Sequence, residues 1–347
     1  MPEENKHPDL NLFRYATSEL SQDAFLCWLL ARADDRVTDI DSITKDASRS
    51  LLDLFLRSFG KVVPGAIQLE IRRQYLKIDV LLVVNSTLGI IIEDKTYTKE
   101  HSDQLSRYRK DLKVARPEIA EVLGIYFKIG DQCSHTEVRN ADYAIIDRKA
   151  ILATLQPFTE QGCKSEILLD YVAHIRRIEN DVQGFEHRPL QEWEDSSIDG
   201  SPWIGFFKKL SQLIVNDGEG WDYVANQRGG FMGYWWHWRG SKELCSYLQL
   251  EGARLCFRLY GKDKNSTAEI VNKFSSAIIE VGERNGLRIL RPNRLRVGET
   301  CTVAYLNGDY RVGGEGGILD FEQTAEKLRQ CERVLDEASA GILPPSD

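Results

Sequence analysis

The stretch YLKIDVLLVVNSTLGIIIEDKTYTKE, residues 75–100, constrains the chain more than any other. Its two halves are apolar and rich in Val and Ile, and Asn85-Ser86-Thr87 separates them, the pattern of a buried β-hairpin. Asp79, Glu93, Asp94 and Lys95 interrupt those halves. A charge in a core strand is costly unless it is paired or binds a cation, so four of them require an explanation. Alternation along a strand places Glu93 and Lys95 on one side and Asp94 on the other. If the hairpin bends about Ser86, Asp79 stands opposite Glu93, and directly opposed residues share a face. Asp79, Glu93 and Lys95 are therefore expected to converge, and a one-residue slip would scatter them.

Two neighbouring carboxylates repel one another unless a cation lies between them. Hard oxygen ligands with room left for water suit Mg²⁺, with Mn²⁺ as a substitute. A metal of this kind polarises a phosphoryl oxygen and acidifies water. An adjacent lysine can position that water and neutralise charge developing on the phosphate. These are the groups that phosphodiester hydrolysis needs.

Asp79, followed after a short hairpin by Glu93-x-Lys95, resembles the PD-(D/E)xK nuclease superfamily. In the next segment, Gln104-Leu-Ser-Arg-Tyr108 is similar to the QxxxY element of its RecB-like branch; Gln and Tyr four residues apart share one helical face. Upstream, Glu19 in SELSQDAFLCWLL resembles the early acid of a bacterial PD-(D/E)xK-like group. Ile78, not proline, precedes Asp79. The resemblance covers roughly residues 15–150. It implies a restriction-endonuclease-like α/β/α core with a mixed sheet, and metal-dependent cleavage of DNA, less often RNA. Carried over residue by residue, it makes Asp79 and Glu93 metal ligands and Lys95 the assistant of the nucleophile. Glu19 would add a ligand or a hydrogen-bond partner, and Gln104 and Tyr108 would orient Lys95 or contact a phosphate. A stand-alone nuclease of this kind fits phage defence or DNA repair, and cutting a duplex with single sites would call for a homodimer.

Helical spacing marks residues 21–31, with Ser21 as a cap, and about 42–59, ended by Gly60. Two strands, about 67–84 and 89–97, make the hairpin. A helix (101–115), two strands (VLGIYFKI and DYAIID) and two helices (149–157 and 165–182) follow. This order predicts a mixed sheet with helices on both faces, and so an α/β nuclease-like domain over 1–185. Residues 186–202 are acidic, rich in turn formers, and read as a linker. Residues 203–347 predict a smaller α+β domain for substrate or partner binding: a helix, aromatic-rich strands, a helix, two strands and a closing helix.

Apolar residues make up 42% and charged residues 28% of the chain, ordinary globular values. No apolar run approaches the ~20 residues of a membrane span, and the first residues lack the basic and apolar parts of a secretory signal. Seven cysteines without a CxxC pair argue against a disulfide framework and a zinc ribbon. The expectation is a cytoplasmic protein without membrane contact. A net charge of −8 weakly disfavours nucleic acid as a partner, but its distribution matters more than its sum. Residues 200–347 carry 19 basic and 19 acidic side chains. Among them LRILRPNRLRV gathers Arg288, Arg291, Arg294 and Arg296, with no acid until Glu299, the best candidate surface for phosphate. Tyr234, Trp235, Trp236 and Trp238 in GYWWHWRG read as core rather than as a base-stacking platform. RVGGEGG lacks a complete nucleotide-binding pattern. Cys133 and His135 lack a second ligand pair, and His101, His174 and His237 lack ligand-spaced partners.

Two rival readings stand beside the nuclease. One is a nuclease fold kept for binding DNA or protein with weak or silent catalysis. The other is a ribonuclease of a toxin or stress pathway, since nothing in the sequence reads a 2′-OH. No helix-turn-helix or zinc module is evident to read bases.

Overall fold

The computed structural model describes residues 10–38, 40–96, 98, 103–193, 202–214, 218–225, 230–262, 267–295 and 297–345. The chain divides into two compact units, residues 1–180 and 181–347, each built on its own sheet. No helix among the described residues is long and apolar enough to cross a membrane.

The first unit opens with helices α1 (Glu19–Leu30) and α2 (Ser42–Arg57), then strands β1 (Leu69–Tyr75), β2 (Ile78–Val84) and β3 (Leu88–Lys95). Helix α3 (Gln104–Ala115), strand β4 (Glu121–Lys128), helix α4 (Thr136–Asn140) and strand β5 (Tyr143–Asp147) follow. Helices α5 (Arg148–Glu160) and α6 (Glu166–Gln183) complete the series. The sheet order is β1-β2-β3-β4-β5, antiparallel through β3 and parallel from β3 to β5. It is the mixed α/β arrangement that the order of elements predicts.

Alternation along the strands sorts the sheet's apolar residues into two cores. Val80, Leu82, Val84, Ile90 and Ile92 pack with α1, α2, α5 and α6, whereas Leu81, Val83 and Ile91 pack with Leu105, Tyr108 and Leu112 of α3. Burial on both faces explains why β2 and β3 read as nearly continuous apolar runs.

The segment 67–84, expected as one strand, is two. Leu76 and Lys77 both take positive φ (54° and 67°) and form the tight turn that pairs Tyr75 with Ile78. Such a turn is normally marked by Asn or Gly, so these two residues left no signal. The β2–β3 pairing runs from Val80↔Ile92 to Val84↔Leu88, centred on Ser86 as the hairpin argument requires. Asn85 and Ser86 supply the positive φ of that turn (48° and 64°), and Asn85 Oδ1 accepts the Gln68 N–H at 2.8 Å. Helix α1 starts earlier than expected. Ser18 is its extended N-cap residue and Ser21 lies inside the first turn, which puts Glu19 at the helix start.

Gly124 of β4 pairs with Tyr143 of β5. A Cβ at 124 would meet the Tyr143 ring at 2.6 Å. The ring uses that space, and its hydroxyl donates to the Leu105 carbonyl at 3.1 Å, tying down the start of α3.

The second unit contains α7 (Pro202–Leu213), β6 (Gly220–Val224), β7 (Phe231–Gly240), β8 (Leu244–Glu251), β9 (Arg254–Gly261), α8 (Ala268–Arg284), β10 (Ile289–Leu290), β11 (Thr300–Leu306) and α9 (Phe321–Ser339). Its sheet is antiparallel throughout, in the order β10-β11-β9-β8-β7-β6, an α+β unit. The stretch expected as a linker over 186–202 belongs to this unit as far as Trp193. Leu190 and Trp193 are buried among the acids, and Trp193 packs edge-on against Trp203 with centroids 5.1 Å apart. Residues 194–201 lie outside the described residues. Among the described residues of LRILRPNRLRV only Ile289–Leu290 form a strand, because Pro292 has no N–H to continue the ladder. Tyr234 and Trp236 are fully buried, and Trp236 Nε1 donates to Glu332 at 2.7 Å, so these two are core, whereas Trp235 and Trp238 are half-buried.

Replacing Gly124 with Ala forces the Tyr143 ring to move. We predict a loss of about 1–3 kcal/mol of stability in urea unfolding; an unchanged midpoint would mean the ring has room to give.

Candidate active site

The hairpin register brings Asp79, Glu93 and Lys95 together on the α3 side of the sheet. Glu93 is fully buried and Lys95 is 7% exposed. The Lys95 ammonium lies 2.7 Å from Glu93 Oε1 and 3.6 Å from Asp79 Oδ2. Asp79 also accepts the Asp94 N–H at 3.0 Å and Gln74 Nε2 at 3.2 Å. Burial, and then the Asp79 charge, push the Glu93 carboxyl up to about 8, against the pull of Lys95. Burial alone would lower the Lys95 ammonium, but Glu93, with Asp79 and Glu19, outweighs it and holds the group above its ordinary value.

The QxxxY pair reaches the same place from α3. Gln104 Nε2 donates to Glu93 Oε1 at 2.8 Å and to the Tyr108 hydroxyl at 2.6 Å. Gln104 therefore braces the carboxylate; its hydrogen bond goes to Glu93, not to Lys95. Glu19, at the start of α1, spans to the end of β3. Its Oε1 accepts Thr98 Oγ1 at 2.6 Å and the Thr96 N–H at 3.2 Å.

Glu93 Oε2 is buried and has no hydrogen-bond partner. That free oxygen, with Asp79 across the strand pair, fits a hard divalent cation whose remaining positions are filled by water. Among the described residues, no three His, Cys, Asp or Glu side chains are placed to hold one ion together. The donor set is thus two carboxylates, a sparse set that suits Mg²⁺ better than a dehydrated cation.

Asp94 departs from the sequence reading. It lies on the opposite face, as alternation requires, but there it is fully buried among α1 and α6 with no cation paired to it among the described residues. Gln22 Nε2 donates to its Oδ1, and the Tyr171 hydroxyl lies 3.4 Å from Gln22 Oε1. Its other oxygen, Oδ2, and Asp23 Oδ1 are both buried without a partner. The charge of Asp23 bears on Asp94. Burial, followed by the charge of neighbouring acids, raises both, Asp23 to about 6 and Asp94 well above its ordinary value. Sequence reasoning missed Gln22, Asp23 and Gln74. Gln22 and Asp23 follow Glu19 on one exposed-looking turn of α1, and the Gln74 position depends on the unsignalled β1–β2 turn.

Lys128 was missed as well. It is 1% exposed, pairs with Lys95 across β3 and β4, and donates to the Thr98 carbonyl at 2.7 Å. It holds the segment that Glu19 also grips. In the second unit, Arg288, Arg291 and Arg294 are all exposed, and Arg291 also lies along α8 and donates to Ser276 Oγ at 2.8 Å. Arg296 and His101 lie outside the described residues. His237 is paired with Asp336 at 2.9 Å, and His174 packs on Phe13.

The acid pair has a consequence for pH. Raised carboxyls bind protons in the folded protein that the unfolded chain has already released, so their contribution is present at low pH and lost as pH rises through about 6 and beyond. Asp94→Asn keeps the shape and turns the orphaned oxygen into a donor for Asp23. In EDTA, this variant should lose less stability than the wild type between pH 5 and pH 8 by urea unfolding. An equal or larger loss would show that the two carboxyls do not share this burden.

No protein-family model, curated protein or solved structure matches this chain.

Proposed function

We propose that the first unit is a metal-dependent nuclease of restriction-endonuclease-like fold that hydrolyses phosphodiester bonds in DNA. The observation that carries this reading is Glu93: a buried carboxylate with one oxygen braced by Lys95 and Gln104 and the other left without a partner. A buried ion pair of this kind is poor support for stability, which favours a chemical reason for keeping it.

Asp79 and Glu93 would hold Mg²⁺, or Mn²⁺ in its place. Once bound, the metal supplies charge for a phosphoryl oxygen and a more acidic water. Lys95 sits against both carboxylates with its ammonium protonated, ready to position the attacking water and to stabilise charge on the phosphate. Gln104 holds Glu93 Oε1, which leaves Oε2 available to a cation. Tyr108 fixes the Gln104 amide. Glu19 orders Thr96 and Thr98 beyond β3 and is the third acid available to the site. Exposed Arg288 and Arg294 make the second unit a candidate phosphate-binding module. Duplex cleavage would need a second copy of the chain. A cytoplasmic role in phage defence or DNA repair is the setting such an enzyme suits.

The test is cleavage of plasmid and single-stranded DNA with Mg²⁺, Mn²⁺ or EDTA, comparing the wild type with Lys95→Ala. Metal-dependent cleavage reduced at least about a hundredfold in the variant is expected. Cleavage that survives the substitution would place the chemistry elsewhere. A matched RNA in parallel separates deoxyribonuclease from ribonuclease.

A further inference from the structure

Between α1 and β1 lies an open groove of about 600 Å³ that the chemistry above does not use. Ala24 and Cys27 of α1, with Ala31 just past its end, form one wall, a row of small side chains. Ile71 and Arg73, on the same face of β1, line the other. β1 is the outermost strand of its sheet. The groove begins beside the acidic site: Asp23 precedes Ala24, Gln74 follows Arg73, and Gln74 Nε2 bridges Asp23 and Asp79, 3.2 Å from each. From Ala24 to Ala31 the helix rises about 10 Å, enough length for a nucleotide.

Charge along the groove is uneven. Asp34, the acid in its lining, is cancelled by Arg36, whose Nη2 and Nε lie 2.6 and 2.9 Å from its oxygens, and by the Leu69 N–H at 2.7 Å. Arg73 is exposed, its side chain makes no hydrogen bond or close ion pair among the described residues, and its charge reaches Asp23 and Cys27 at the near end of the groove. An apolar floor with an exposed guanidinium at the end nearest the site matches the face of a base and its phosphate. A base held in a duplex stack could not enter, whereas an unpaired one could.

We propose that this groove holds an unpaired nucleotide beside the scissile phosphodiester, with its phosphate on Arg73, so that the substrate is single-stranded or frayed nucleic acid. The proposal rests on the nuclease reading for the word scissile, and its test separates the two. Full-length protein in EDTA is titrated into dye-labelled oligothymidylate, the matching oligouridylate and a blunt duplex, and binding is read by fluorescence anisotropy. Wild type is compared with Arg73→Glu and Ala24→Trp, both at exposed positions outside the acidic cluster, with circular dichroism confirming that each variant folds. The wild type should bind single strands more tightly than duplex, and each substitution should weaken single-strand binding about tenfold while leaving duplex binding unchanged. The two oligonucleotides distinguish DNA from RNA. Equal binding of duplex and single strand by the wild type would overturn the groove assignment, as would undiminished single-strand binding by both variants. If binding is undiminished while Lys95-dependent cleavage persists, the groove is rejected and the nuclease stands. If Arg73→Glu abolishes single-strand binding while no Lys95-dependent cleavage exists, the groove stands and the nuclease is rejected.

Discussion

The antiparallel register of β2 against β3 is the constraint on which the site depends. A turn centred on Ser86 sets Val80 opposite Ile92, and the next pair in line is Asp79 with Glu93. Both strands are buried on both faces, so a slip by one residue would drive Asp79 and Glu93 into an apolar core and strand Lys95 without a partner. The charges and the register thus support each other. The apolar residues specify which face each position takes, and the ion pairs penalise every alternative.

One residue, Asp94, connects the two faces. The Asp94 N–H donates to Asp79, and its carbonyl accepts from Lys95 Nζ at 3.2 Å. Its side chain points the other way and is gripped by Gln22 of α1. Helix α1 therefore positions the backbone of the site from behind, while Glu19 orders its rim and α3 braces Glu93 from the front. Five carboxyls, Glu19, Asp23, Asp79, Glu93 and Asp94, gather in this network, and the Lys95 ammonium pairs directly with Glu93 and Asp79. A protein under selection for stability alone would replace most of them with apolar groups. Local rules broken together in one place are what a functional or a strained site produces, and under the nuclease reading this one is functional.

Much of this was legible in the sequence because it rests on short-range geometry. Period-two alternation and a turn signal were enough to place Asp79, Glu93 and Lys95 on one face, and helical spacing put Gln104 and Tyr108 together. Legibility failed where the backbone took an unusual conformation or where contacts were long-range. Leu76 and Lys77 adopt a turn their residue types do not advertise, which hid Gln74. Asp94 meets Gln22 and Asp23 across more than seventy positions of sequence, a contact that only the packing of α1 on the sheet reveals. The acidic stretch after α6 looked like a linker because Leu190 and Trp193 are outnumbered by acids, yet two buried apolar side chains sufficed to fold it into the second unit. The Arg-rich segment kept its charge, but Arg291 spends its guanidinium on α8.

The central claim is that Asp79 and Glu93 are kept in the core to bind a divalent cation. Its most direct test is calorimetric titration of Mn²⁺ into the metal-free wild type, Asp79→Asn and Glu93→Gln. The account predicts Mn²⁺ binding by the wild type that is lost in both variants, each still folded. Absent binding in the wild type, or binding unchanged by Glu93→Gln, would contradict it.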